Sequence, residues 1–118
     1  MKSVRGAIAV VENKEDLILL SSKKLINEIL ENNSISEEDI EFAIFTVTKD
    51  LTKAFPAKAF RELGMHTVAA IDTLAPDVDG DIKGCIRVLI HTTKDLKKDL
   101  IEVNHVYLDE AKKLRPDR

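Results

Sequence analysis

The chain has 118 residues, of which 44% are hydrophobic and 33% charged, with only four Gly and three Pro. That is the size of one domain over residues 1–118, apolar enough to fold and able to bury roughly two-thirds of the surface its unfolded form exposes. Eighteen basic and 21 acidic residues are interspersed to a net charge of -3, with no basic stripe, so nucleic acid is not an expected partner.

The apolar run Gly6-Ala7-Ile8-Ala9-Val10-Val11 predicts a first strand, and Asn13 with Asp16 reads as the cap of the helix that follows. Ile18, Ser22, Leu25 and Ile29 recur at spacings of four, three and four, which marks one buried helical face ending near Asn32-Asn33. Ser36 with Asp39 predicts a short helical turn. Ile40 to Val47 is almost continuously apolar, as expected of a strand covered on both faces, and Thr48-Lys49-Asp50 breaks it.

Pro56 suits the first turn of a short helix running through Leu63, and Gly64 suits the left-handed residue past its end. A third strand is predicted from Thr67 to Asp72, followed by a loop over 73–84 carrying Pro76, Asp77, Asp79 and Gly80. Cys85 to His91 reads as a fourth strand, Val106-Tyr107 as a short fifth, and Glu110 to Leu114 as a closing helical turn. The fold class is α+β, with no internal repeat.

No metal or cofactor is expected. His66, His91 and His105 lack metal-ligand spacing, Cys85 has no second Cys, and nucleotide-binding and acyl-transfer motifs are absent. No stretch is long and apolar enough to span a membrane, and the run after Arg5 is broken at Glu12, so a cytoplasmic location is expected.

Arg87 stands between Ile86 and Val88, where strand alternation puts it on the face opposite both. Such a guanidinium marks either a strand face open to water or a site for an anion. Asp72 reads equally as a turn-starting residue or a site carboxylate. Lys58 and Arg61, three apart near Phe55, share a helix face; Arg5 suits a surface ion pair, and Tyr107 suits a core aromatic with its hydroxyl at the surface.

Several segments then converge: Val4-Arg5-Gly6-Ala7, Phe45-Thr46-Val47-Thr48-Lys49-Asp50-Leu51, Phe55-Pro56-Ala57-Lys58-Ala59, Cys85-Ile86-Arg87-Val88, His105-Val106-Tyr107-Leu108 and Leu114-Arg115-Pro116-Asp117. In this order they resemble the Bacillus-type chorismate mutases, from Arg5 to Asp117. The resemblance implies a homotrimer in which a mixed sheet with flanking helices from each subunit packs into a barrel-like core, with active sites at the clefts between neighbours. It also implies the rearrangement of chorismate to prephenate without a cofactor. Arg87 would contact the ether oxygen and a carboxylate. Arg5 and Tyr107 would orient the dianion, with Phe55, Ala57, Lys58 and Arg61 as the neighbouring wall, Ile71 and Thr73 lining the pocket, and Leu114 and Arg115 covering it.

One position departs from that pattern. Many members of the family carry a glutamate twelve residues before the strand arginine, where this chain has Ala75. Asp72 is the expected substitute, replacing the missing charge beside Arg87, with Asp77 as a competitor in the following turn. Two rival readings remain at this stage: another trimeric small-molecule enzyme such as an imine hydrolase, and a homologue that binds a small anion as a regulator without turning it over.

Overall fold

The computed structural model describes residues 2–93, 106–109 and 111. Along them run β1 (Lys2–Ala9), α1 (Glu15–Asn33), a 3-10 turn (Glu37–Asp39), β2 (Ile40–Val47), α2 (Lys58–Glu62), β3 (Ala69–Leu74), β4 (Ile86–Thr92) and β5 (Val106–Asp109). The strands form one sheet in the order β3-β2-β4-β1-β5. β4 is antiparallel to both β1 and β2, whereas β3 runs parallel to β2 and β5 parallel to β1, so the sheet is mixed.

Helix α1 lies across one face of this sheet. Its predicted stripe of Ile18, Ser22, Leu25 and Ile29 is wholly buried, and the Ser22 hydroxyl satisfies itself by donating to the Ile18 carbonyl at 2.7 Å. Gly6 explains the close fit: a Cβ there would stand 2.6 Å from Ile29 Cδ1 and 2.9 Å from the Val106 carbonyl oxygen, so any side chain would push helix and sheet apart. Phe60 brings α2 onto the same face by an edge-on contact with Phe45, ring centroids 5.9 Å apart. A Lys23–Glu62 ion pair at 2.6 Å ties α2 to α1 and holds the Glu62 carboxyl below its ordinary range.

The expectation that β2 is covered on both faces does not hold among the described residues. Ala43 and Phe45 are buried under the helices, while Ile44 and Thr46 line an open cleft on the other side. The first strand also starts and stops earlier than its apolar run, because Lys2 to Ile8 pair with β4 and Val10 turns left-handed at φ 59°. Asn13 does not cap α1; it reaches across the chain, its side-chain oxygen accepting from the Thr52 and Lys53 amides and its nitrogen donating to the Thr52 hydroxyl.

Helix α2 is shorter than expected, and Gly64 beyond it has φ 82° as foreseen. The third strand is displaced by two residues toward the C-terminus, since its register is fixed by pairing Ala69 to Leu74 with Phe42 to Val47. The Ser36 turn forms as predicted, with Asp39 accepting from both the amide and the hydroxyl of Ser36. His105, Leu114, Arg115 and the expected closing turn, apart from Ala111, lie outside the described residues.

Candidate active site

Residues paired in register across a sheet point to the same face. One such row runs Thr73–Thr46–Arg87–Ala7–Tyr107 across all five strands, and the next row on that face runs Ile71–Ile44–Leu89–Arg5. This is the side away from α1 and α2. The two rows open a cleft of about 490 Å³ lined by Arg5, Ile44, Thr46, Arg87, Leu89 and Tyr107 together with Gly6 and Val88. Ala7, the smallest side chain in the row, separates Arg87 from Tyr107, and both are half-buried.

Arg87 is therefore the cation on an open strand face that its alternation with Ile86 and Val88 foreshadows, both neighbours being buried in the core. Its guanidinium donates to Asp81 Oδ2 at 3.4 Å, an ion pair about one-third exposed at the arginine and one-quarter at the aspartate. Asp81 is the residue that the sequence reading misses. It lies among the turn formers of the loop before β4, and its only local signal is its placement six residues before Arg87.

Asp72 lies elsewhere. It pairs with Phe45, so its side chain belongs to the helix-bearing face, and its Oδ1 accepts the Ala57 amide at 3.0 Å. The expectation that Asp72 sits beside Arg87 is corrected within one chain: the two side chains project from opposite faces of the sheet. Asp72 instead joins Phe55, Ala57, Lys58 and Arg61 around the start of α2, in a recess of about 360 Å³ that also contains Val68 and Ala70. A neighbouring recess of about 550 Å³ brings Phe55, Lys58, Asp72 and Thr73 together. Ala75 is nearly buried and continues the Ile71, Thr73 alternation, so it faces the Arg87 side, and its amide extends the ladder by donating to the Val47 carbonyl. Asp77 is occupied by Lys49 at 2.9 Å on the loop surface.

Burial pushes the Asp72 carboxyl above its ordinary value, with the Ala57 amide only partly opposing the rise. A raised folded-state value means that the ionised group opposes folding: the neutral form's advantage is whole below the unfolded value of about 3.8 and is lost as pH rises through the folded one. Asp72→Asn keeps an acceptor for Ala57 and removes the charge. It is expected to raise the melting temperature at pH 7, with the gain fading as both proteins are melted toward pH 3.8, where the wild-type carboxyl is protonated too.

The family described as chorismate mutase type I matches residues 1–118. The chain belongs to that family. Two proteins named chorismate mutase AroH align with it: one from Thermus thermophilus is 43% identical, covering 99% of this chain and 95% of its own, and one from Bacillus subtilis strain 168 is 38% identical, covering 99% and 91%. A solved chorismate mutase from Clostridium thermocellum superposes with a TM-score of 0.90 at 43% identity, covering 95% of this chain and 98% of its own. The family match thus takes in the residues of the cleft and of both recesses described above. Among the described residues no group of His, Cys, Asp and Glu is arranged to hold a metal, and no helix is long and apolar enough to cross a membrane.

Proposed function

We propose that this chain catalyses the rearrangement of chorismate to prephenate, in the cytoplasm, as a homotrimer whose active sites lie between subunits. The observation that carries the reading is the division of the family's residues into two sets on opposite faces of one sheet. Arg5, Arg87 and Tyr107 form one half of a dianion site, and Phe55, Ala57, Lys58, Arg61 and Asp72 form the other. A single copy cannot close the two around one ligand, whereas a ring of three gives each copy's first half a neighbour's second half. Ile71 and Leu74, each 62% exposed on the edge strand β3, and Phe55 at 73% supply apolar surface for such a contact.

The chemistry asks little beyond placement. In a concerted pericyclic step one carbon–oxygen bond breaks as a carbon–carbon bond forms, with no nucleophile and no cofactor. The ether oxygen gains negative charge and the ring gains positive charge. Arg87 answers the first with a permanently charged fork of donors, and Arg5 and Tyr107 hold carboxylates so that the side chain folds over the ring. Lys58 and Arg61 attract the dianion from across the interface. Asp72, brought by the neighbouring subunit, faces the ring and takes over the charge that Ala75 lacks. Ile71, Thr73 and Ala75 wall the pocket, and Leu114 and Arg115 cover it.

The deciding experiment follows loss of chorismate by ultraviolet absorbance with the purified chain, without added metal or nucleotide. Turnover to prephenate is the expected result; calorimetric binding of chorismate without prephenate would instead make the protein an anion-binding regulator. Asp72→Asn is expected to lower turnover by about 10²-fold, and Ala75→Glu added to it to restore most of the rate. Full activity in Asp72→Asn would remove Asp72 from the site.

A further inference from the structure

Asp81 is the carboxylate that the described chain itself sets against Arg87, and it is built into place from both sides. Its amide donates to the Val78 carbonyl at 3.1 Å, closing a turn, and its Oδ1 accepts the amide of Ile82 at 2.9 Å. That leaves Oδ2 for the guanidinium. Ile82 in turn packs on Ala7, Ala9, Cys85 and Ala111, the small cluster against which Tyr107 also rests. The end of the loop is clamped as well: the Gly84 amide donates to Asp50 Oδ2 at 2.9 Å, and the Val10 and Val11 amides donate to the Lys83 and Gly84 carbonyls. Gly84 is required there, since its φ is +60° and a Cβ would meet the Val11 carbonyl oxygen at 2.5 Å.

We infer that Asp81 is a positioning residue for Arg87, fixing one nitrogen of the guanidinium from a clamped loop so that its remaining donors project into the Arg5, Arg87 and Tyr107 cleft. The inference rests on Arg87 acting on chorismate as proposed above. An arginine side chain on an open strand face has several rotamers, and a single ion pair with a rigid partner selects among them before substrate arrives. Because Asp81 takes one end of a planar fork, the other end stays available for a bidentate contact with the dianion. This is a different role from that of Asp72, which answers the ring's positive charge from the opposite face of a neighbouring copy.

The two contributions separate kinetically. Loss of Asp81 leaves the cleft more positive, so dianion binding by Arg5 and Tyr107 is not weakened, but alignment at the ether oxygen in the transition state is lost. Asp81→Asn preserves the acceptor for Ile82 and hence the loop. Its kcat for chorismate is expected to fall about tenfold with KM within about threefold of wild type, while Asp81→Glu, which keeps the charge, retains a kcat within about threefold. A second readout needs no turnover: in nitrogen-15 arginine spectra of the free protein, the Arg87 Nε–H signal is expected to be sharp in wild type and broadened in Asp81→Asn. A kcat unchanged by Asp81→Asn, a loss carried wholly by KM, or an Arg87 signal indifferent to the substitution overturns the inference. If wild type fails to consume chorismate, the reaction assignment falls, and the arginine spectra still decide whether Asp81 orders Arg87.

Discussion

Arg87→Ala is expected to leave a folded protein whose turnover of chorismate falls by at least about 10³-fold. The fold tolerates the change because the side chain is one-third exposed and contributes nothing to the helix-side core, which is built by its neighbours Ile86 and Val88. Its ion pair with Asp81 is long and partly exposed, so its loss costs stability no more than about 1 kcal/mol. Catalysis has no comparable reserve. Removing one preorganised donor from a site of developing charge costs about 2.7 to 4 kcal/mol, and a formal cation facing the departing ether oxygen does more. Ultraviolet assays beside thermal melts test both halves of the statement, and near-normal turnover would refute the role given to Arg87. Arg87→Lys is expected to recover only part of the rate, since an ammonium cannot hold Asp81 and a ligand oxygen with one planar fork.

Phe60→Ala is expected to be the most destabilising single truncation near the site, by about 3–5 kcal/mol. The ring is 1% exposed, stands edge-on to Phe45 and anchors a helix of only five residues, which has no stability of its own to fall back on. Truncation opens a cavity between α2 and the sheet, and for a chain of this length the melting temperature should drop by about 10–20 °C. Because α2 carries Lys58 and Arg61, the surviving folded protein should also bind chorismate more weakly. Calorimetric melting with steady-state kinetics below the transition measures both effects; a Phe60→Ala protein melting within a few degrees of wild type would show that α2 is held by other means.

The elements most legible in the sequence were those whose burial is decided locally. The stripe on α1 and the apolar runs of β2 and β4 declare themselves by period and length, and the structure keeps them nearly residue for residue. What the sequence concealed was set by distant partners. The start of β1 is polar and becomes a strand because β4 lies beside it, and β3 slides two residues because its register belongs to β2. Asn13 looks like any helix cap until the Thr52 and Lys53 amides arrive beside it.

The site divided in the same way. Arg87 was conspicuous as a charge inside an apolar run, and Lys58 with Arg61 as a pair on one helix face. The side from which Asp72 projects could not be read, because it depends on how three strands align, so the expectation set it beside the Arg87 of its own chain, whereas the two face opposite sides of the sheet. Asp81 was hidden by its surroundings: in a loop of Asp, Gly and Pro, an aspartate that folds back onto a strand arginine has the same local signature as one that merely starts a turn.

The split of functional groups between the two faces of one sheet has a genetic consequence. If each cleft borrows half its groups from an adjoining copy, no polypeptide owns a working centre, and defects in the two halves complement. Arg87→Ala mixed at equal amounts with a chain inactivated at Arg61 should reassemble rings in which about one centre in four is wholly intact. Two separately dead preparations would then regain activity on being unfolded and refolded together.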